Sequence, residues 1–190
     1  MVRVIEGSLE YKCAFCRHPI PDTEEEMDLN VMKRINANDP VAIREKGTKC
    51  YEKGDYASAL DCWTKAAKLG DIDAHFRLGK SYHFGEGVEK DINKQTYHWE
   101  IAAIGGHPNA RHNLGCEEWN SGNFQRGVAH FIISANHGHG LSIEILKKGY
   151  SLGCVAKEDF AAALRAHQAA VDAMQSPQRK AAAEARQNQT

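Results

Sequence analysis

Cys13 and Cys16 stand two residues apart, the spacing at which paired thiols grip a zinc ion or exchange a disulfide. The redox use needs a surrounding βαβ pattern, which is missing. A structural zinc needs four ligands in a tetrahedron, and His18 lies too near in the chain to be a comfortable third. The pair reads as half a metal site, with an unliganded dithiol as the alternative. Ten histidines widen the metal question, with His83, His98, His112 and the His137-Gly138-His139 run as the main candidates. No HExxH sets two imidazoles on one helical face around a base, so these histidines read as parts of helices and turns. Neither a GxSxG elbow nor a catalytic-cysteine signature is present. The glycine-rich GEGVEKD segment, Gly85 to Asp91, lacks both the Walker ending and the G-x-G-x-x-G of a dinucleotide loop. It reads as a turn between helices.

The elements that would position these groups come from an internal repeat. Three stretches align from Ala42, Ala74 and Ala110, closing on Gly70, Gly106 and Gly138, so the steps are 36 and 32 residues. Each has a glycine midway along a first helix (Gly47, Gly79, Gly115), a glycine-bearing turn, and a second helix with Trp63, Trp99 or Phe131 followed by a small pair. A glycine inside a helix costs about 1 kcal/mol relative to alanine, and close helix packing is the reason to retain it. Asp39-Pro40 and His107-Pro108 mark helix starts, and Asp55, Asp91 and Asn123 are candidate caps for the second helices. A helix over TEEEMDLNVMKRINAND from Thr23, with Met27, Val31 and Ile35 on one face, precedes the array. A degenerate fourth hairpin follows from Leu141, and Ser176-Pro177 opens an alanine-rich tail. Cys50, Cys62, Cys116 and Cys154 fall within the helical patterns and read as buried free thiols of a reducing compartment. Most aromatics hold regular repeat positions and read as core; Tyr51 and Trp119 lie one place beyond the usual position.

On Ala74, Leu78-Gly79, Tyr82, Gly85, Gly87-Val88, Asp91, Lys94, Trp99, Ala102-Ala103 and Gly106, the second unit resembles the Sel1-like repeat. The Gly-x-Gly-Val turn and the longer step separate it from the tetratricopeptide unit. The first unit resembles a tetratricopeptide repeat more, through Gly47, Gly54-Asp55-Tyr56, Ala59, Trp63 and Ala66; the third keeps Leu114-Gly115, Gly122 and Phe131. Lys46 and Gln95 depart from the leucine and alanine usual there. Lys12 to Ile20, in its Cys-x-Phe-Cys-Arg-x-Pro form, is similar to the last ligand pair of a RING finger, and a RING joined to Sel1 repeats is a known arrangement. Only that last pair is present, so the expectation is a chain that starts inside the finger.

The resemblance implies an all-α fold: a short α-solenoid of stacked helix hairpins, Sel1/tetratricopeptide-like, preceded by a partial zinc-finger remnant. Its divisions are 1–22 for the remnant, 23–38 for a linker helix, 39–175 for the repeats and 176–190 for a helical tail. In such arrays the first helices line a concave surface that holds a peptide. By offset from the repeat glycine, Arg44, Thr48 and Tyr51, then Phe76, Lys80 and His83, then His112, Cys116 and Trp119 are expected to face it. That mixture suits a peptide with an apolar anchor and some negative charge. The expected function is a protein-interaction scaffold or adaptor without catalytic residues. The alternative is a RING-type ubiquitin ligase whose repeats choose the substrate, with Cys13 and Cys16 as zinc ligands and a ubiquitin-conjugating enzyme as partner.

A net charge of −1 and a pI near 6.8 give no basic excess for nucleic acid. No apolar run reaches the ~18 residues of a membrane span, and MVRVIEGSLEYKC lacks a signal peptide's hydrophobic stretch. The expected location is intracellular, in the cytoplasm, with the nucleus left open. Zinc content decides between the two readings. The purified chain is expected to hold fewer than about two zinc ions, and about two per chain with autoubiquitination would establish the ligase.

Overall fold

The computed structural model describes residues 23–174; Cys13, Cys16 and the tail from Ser176 lie outside them. Nine helices follow one another in these residues: α1 (Glu24–Asn36), α2 (Pro40–Glu52), α3 (Tyr56–Lys68), α4 (Ile72–Phe84), α5 (Ile92–Ile104), α6 (Pro108–Asn120), α7 (Phe124–Asn136), α8 (Gly140–Ser151) and α9 (Lys157–Met174). After α1 they pair as four hairpins, each first helix on its own second helix and each second helix on the next first helix. The described chain is thus an all-helical solenoid of hairpins. The fourth hairpin is complete, and its longer α9 packs on α7 as well as α8.

Each of the first three hairpins closes around the same contact. Trp63, Trp99 and Phe131 are 2%, 2% and 1% exposed, and each packs against the mid-helix glycine of its partner helix. A Cβ on Gly47 would stand 2.7 Å from Trp63 Nε1, and one on Gly115 would stand 2.8 Å from Phe131 Cε1; at Gly79 the Trp99 ring leaves still less room. The small pairs then turn to the next hairpin: Ala66, Ala102 and Ala135 are fully buried. Ser134 sends its hydroxyl to Pro108 O at 2.8 Å, satisfying the buried oxygen.

The longer step of the second unit has a structural cause. Gly85 and Gly87 carry φ of 76° and 74°, and a Cβ on Gly87 would meet Leu60 Cδ1 and Tyr56 Cβ, each at 2.8 Å. The loop is folded down onto α3, Val88 packs on the first core cluster, and the Tyr51 hydroxyl donates to Glu86 at 2.9 Å. It buttresses the preceding hairpin, as a connecting turn should.

Capping follows the expected positions with one exception. Asp39 accepts from Val41 and Ala42 N–H, Asp55 from Ser58, Asp91 from Asn93 and Lys94, and the His107 imidazole from Ala110. Asn123 occupies the N-cap position of α7 without bonding the helix; its amide donates instead to Glu118 Oε2 at 2.9 Å. Cys154 also differs from expectation. Helix α8 stops at Ser151, so Cys154 lies in the exposed turn before α9, while Cys50, Cys62 and Cys116 are half-buried free thiols.

Gly115→Ala tests the central contact. A better helix former alone would gain about 1 kcal/mol, but pressing a methyl into a buried ring costs about 1–3 kcal/mol. The expected result is a net loss of stability in urea denaturation, whereas a gain would show that the ring can move aside.

Candidate functional site

A cleft of about 650 Å³ runs across the first helices of the last three hairpins. From α4 it takes Phe76, Lys80 and His83, spaced four and three residues apart and so on one helical face. From α6 it takes His112 and Cys116, and the start of α8 closes it with Leu141. Five of the nine residues expected from the sequence are therefore brought together here. Trp119 opens on a neighbouring depression of about 450 Å³, shared with Cys116, Phe131 and Leu152.

The first hairpin uses its candidates differently. Arg44 Nε lies 3.2 Å from Asp71 Oδ2 and its Nη2 3.8 Å from Asp73. Since Asp71 caps α4 through Ala74 N–H, this pairing fastens α2 to the next hairpin. Thr48 donates to Arg44 O at 3.1 Å. Tyr51 packs on Tyr56 and Trp63 and reaches across to Glu86; that carboxylate, then burial, holds its hydroxyl above the ordinary tyrosine pKa. Arg44 and Tyr51 make the joint between the first two hairpins, Thr48 bonds within α2, and all three lie apart from the cleft.

Beneath the cleft a polar chain crosses three helices. His83 Nδ1–H donates to Gln95 Oε1 at 3.0 Å, and Gln95 Nε2 donates to Glu117 Oε1 at 3.3 Å. Gln95 is buried, and it is the position where alanine is usual in the repeat. The departure from the pattern marks a side chain that ties α4, α5 and α6 together.

A second polar chain links α8 to α6. His139 caps α8, so its Nδ1 accepts Ser142 N–H at 3.3 Å and is unprotonated. The Ser142 hydroxyl lies 3.0 Å from that nitrogen and 2.8 Å from His112 Nδ1, bridging the two imidazoles. His112 Nε2 lies 3.6 Å from the Cys116 thiol. Burial, then the nearby His139, lowers the His112 pKa to about 4, while burial and then Glu117 raise that of the Cys116 thiol. Thiol and imidazole are both neutral, the opposite of the thiolate–imidazolium pair that a nucleophile requires.

Sequence reasoning missed the carboxamides. Asn109, Asn113 and Asn120 all line the cleft, and their i, i+4, i+11 spacing, with Cys116 at i+7, makes one stripe along α6. Among the described residues none of the three amides has a hydrogen-bond partner. The helical period applied to polar residues would have revealed the stripe. The metal candidates fare differently: His98 pairs with His75, Nδ1 to Nδ1 at 3.0 Å, and no three His, Cys, Asp or Glu gather as a ligand set among the described residues.

Residues 42–71 and 72–107 match the Sel1 repeat. The first of these is the unit that reads as closer to a tetratricopeptide repeat, so both of the first two hairpins carry the Sel1 pattern. Over 77% of its length the chain resembles a protective antigen of uropathogenic Escherichia coli strains that displays an SLR fold, at 25% identity and a TM-score of 0.61. Over 79% it resembles a Sel1 repeat protein from Oxalobacter formigenes, at 24% identity and a TM-score of 0.64. The chain spans 33% and 64% of the lengths of those two proteins. The likeness to both extends beyond the two Sel1 matches and agrees with the continuous stack of hairpins. No described helix is long and apolar enough to cross a membrane.

Tyr51→Phe separates the joint from the cleft. Loss of the hydroxyl bond to Glu86 is expected to cost about 1 kcal/mol in urea denaturation while the near-ultraviolet signals of the other hairpins persist. An unchanged stability would show that the bond contributes nothing to the joint.

Proposed function

We propose that this Sel1-type array is a protein-binding scaffold that holds an extended peptide segment of its partner in the cleft across α4, α6 and α8. One observation carries the reading: three carboxamides without a partner in the chain lie in register along α6 in that cleft, Asn113 half-buried and Asn109 and Asn120 exposed to an incoming ligand. Asn109 and Asn113 are one turn apart, about 6 Å along the helix, close to the ~6.7 Å between alternate residues of an extended chain. Each amide offers both donor and acceptor, so the stripe can bond a peptide main chain whatever its sequence. Selection then falls to the walls, where Phe76 and Leu141 suit an apolar side chain. Lys80 offers a cation to an acidic one.

Repeat arrays present extended surfaces of this kind, and the neutral Cys116–His112 pair supports holding over chemistry. The scaffold reading uses Phe76, Lys80, His83, His112 and Cys116 as cleft residues and Trp119 as the edge of the adjoining depression. Arg44 and Tyr51 shape the joint that precedes it, and Thr48 stays within α2.

Selection of random displayed peptides on the purified protein tests the assignment. Selected peptides are expected to lose affinity about tenfold or more on Asn113→Leu or Leu141→Asp, equivalent to about 1.4 kcal/mol each, with no fall in melting temperature. Peptides that bind both variants as well as the parent, or failure to select any, would remove the cleft from the function.

A further inference from the structure

The first helices of the four hairpins begin on two different chemistries. Asp39 and Asp71 cap α2 and α4, whereas His107 and His139 cap α6 and α8. A carboxylate accepts the orphan amides and carries the negative charge that a helix N-terminus favours. An imidazole accepts them only while neutral. Protonation puts hydrogen on the accepting nitrogen and positive charge at the positive end of the helix.

The surroundings decide which imidazole cap is the weaker. His107 Nε2 lies 3.3 Å from Asp73 Oδ1 on α4, with Arg77 of the same helix also near, and its ring stacks on Phe76 at 4.2 Å. A proton gained there meets a carboxylate that offsets the lost cap. His139 has no such compensation. It faces His112 of α6 at 4.4 Å between ring centroids, His167 of α9, and His107. Glu144, Lys147 and Lys148 of α8 share a depression with His112 on its other side. Among the described residues no carboxylate is ion-paired with His112, His139 or His167. His167 instead donates to Ala135 O at 3.1 Å, pinning α9 to the end of α7.

We propose that His139, with Ser142 and His112, forms an acid-labile joint that lets the fourth hairpin leave the third and removes the Leu141 wall of the cleft. As a control on ligand release this rests on the peptide-binding reading; the opening of the joint does not. Burial lowers the pKa of His112 and His139 from the ordinary 6.5, so the opened state takes up protons first. The closed joint is fully favoured above about pH 6.5 and weakens as the pH falls toward about 4. Each proton taken up shifts the opening constant by up to about tenfold per pH unit.

Hydrogen exchange of the full chain, without peptide, near pH 7.5 and near pH 5 and corrected for intrinsic rates, reads the joint directly. Protection in 140–151 is expected to fall about tenfold or more at the lower pH while 40–104 keeps its protection. His139→Asp, which copies the caps of the first two hairpins, is expected to retain protection near pH 5. If that variant is not folded near pH 7.5, His139→Asn supplies a neutral cap in its place. Retained wild-type protection, equal loss across all four hairpins, or loss in the folded variant as in the parent would overturn the proposal. If the joint opens as expected but no displayed peptide binds at neutral pH, the cleft reading fails and the joint stands.

Discussion

An aromatic ring laid against a missing side chain holds each of the first three hairpins together. Trp63, Trp99 and Phe131 occupy the space that a Cβ on Gly47, Gly79 or Gly115 would fill, so the two helices approach closely over a large apolar surface. Burial of such a side chain is worth about 1.5–3 kcal/mol, more than the ~1 kcal/mol that a helical glycine costs. The fourth hairpin substitutes a smaller group, with Val155 against Gly149, and extends α9 onto α7. Close pairing within hairpins lets fully buried alanines meet the next unit, and the cleft follows from that stacking.

The joints between hairpins add polar contacts to their apolar packing. Arg44 meets Asp71 at the first, His107 meets Asp73 at the second, and His112 meets Ser142 at the third. In each case a side chain on or near one first helix engages the opening turn of another. Hairpins are held by dispersion and burial, which depend little on pH; the joints share such packing, with Leu146 and Ala163 clustered with Phe131 and Ala135 at the third, and add polar groups whose worth depends on charge and geometry. A ligand lying across the cleft touches two joints, so its binding and their geometry are physically linked.

Helical periodicity and turn residues exposed much of this in the sequence. The recurring glycine, its aromatic partner and the closing glycine are local or near-local features, and the hairpin boundaries follow from them. The His107-Pro108 start was legible because cap and proline are adjacent. Phe76, Lys80, His83, His112 and Cys116 were found by their offset along a helix, which is all that sharing a face requires. The carboxamide stripe on α6 was equally periodic, but hydropathy patterns do not register a line of polar residues.

Other assignments depended on competition between partners, some near in the chain and some distant, that helical periodicity does not rank. Asn123 has the right type and place for a cap, yet Glu118 takes its amide. Arg44 and Tyr51 share the offset of the cleft residues but meet carboxylates from the second hairpin and its loop, while Cys154 is left in the turn where α8 stops. From sequence alone came the helices, their pairing and the faces they present, because these depend on neighbours within a few turns. Which polar groups meet across hairpins, and so which residues form joints and which a cleft, was decided by the tertiary stack, because its partners lie 20 or more residues apart.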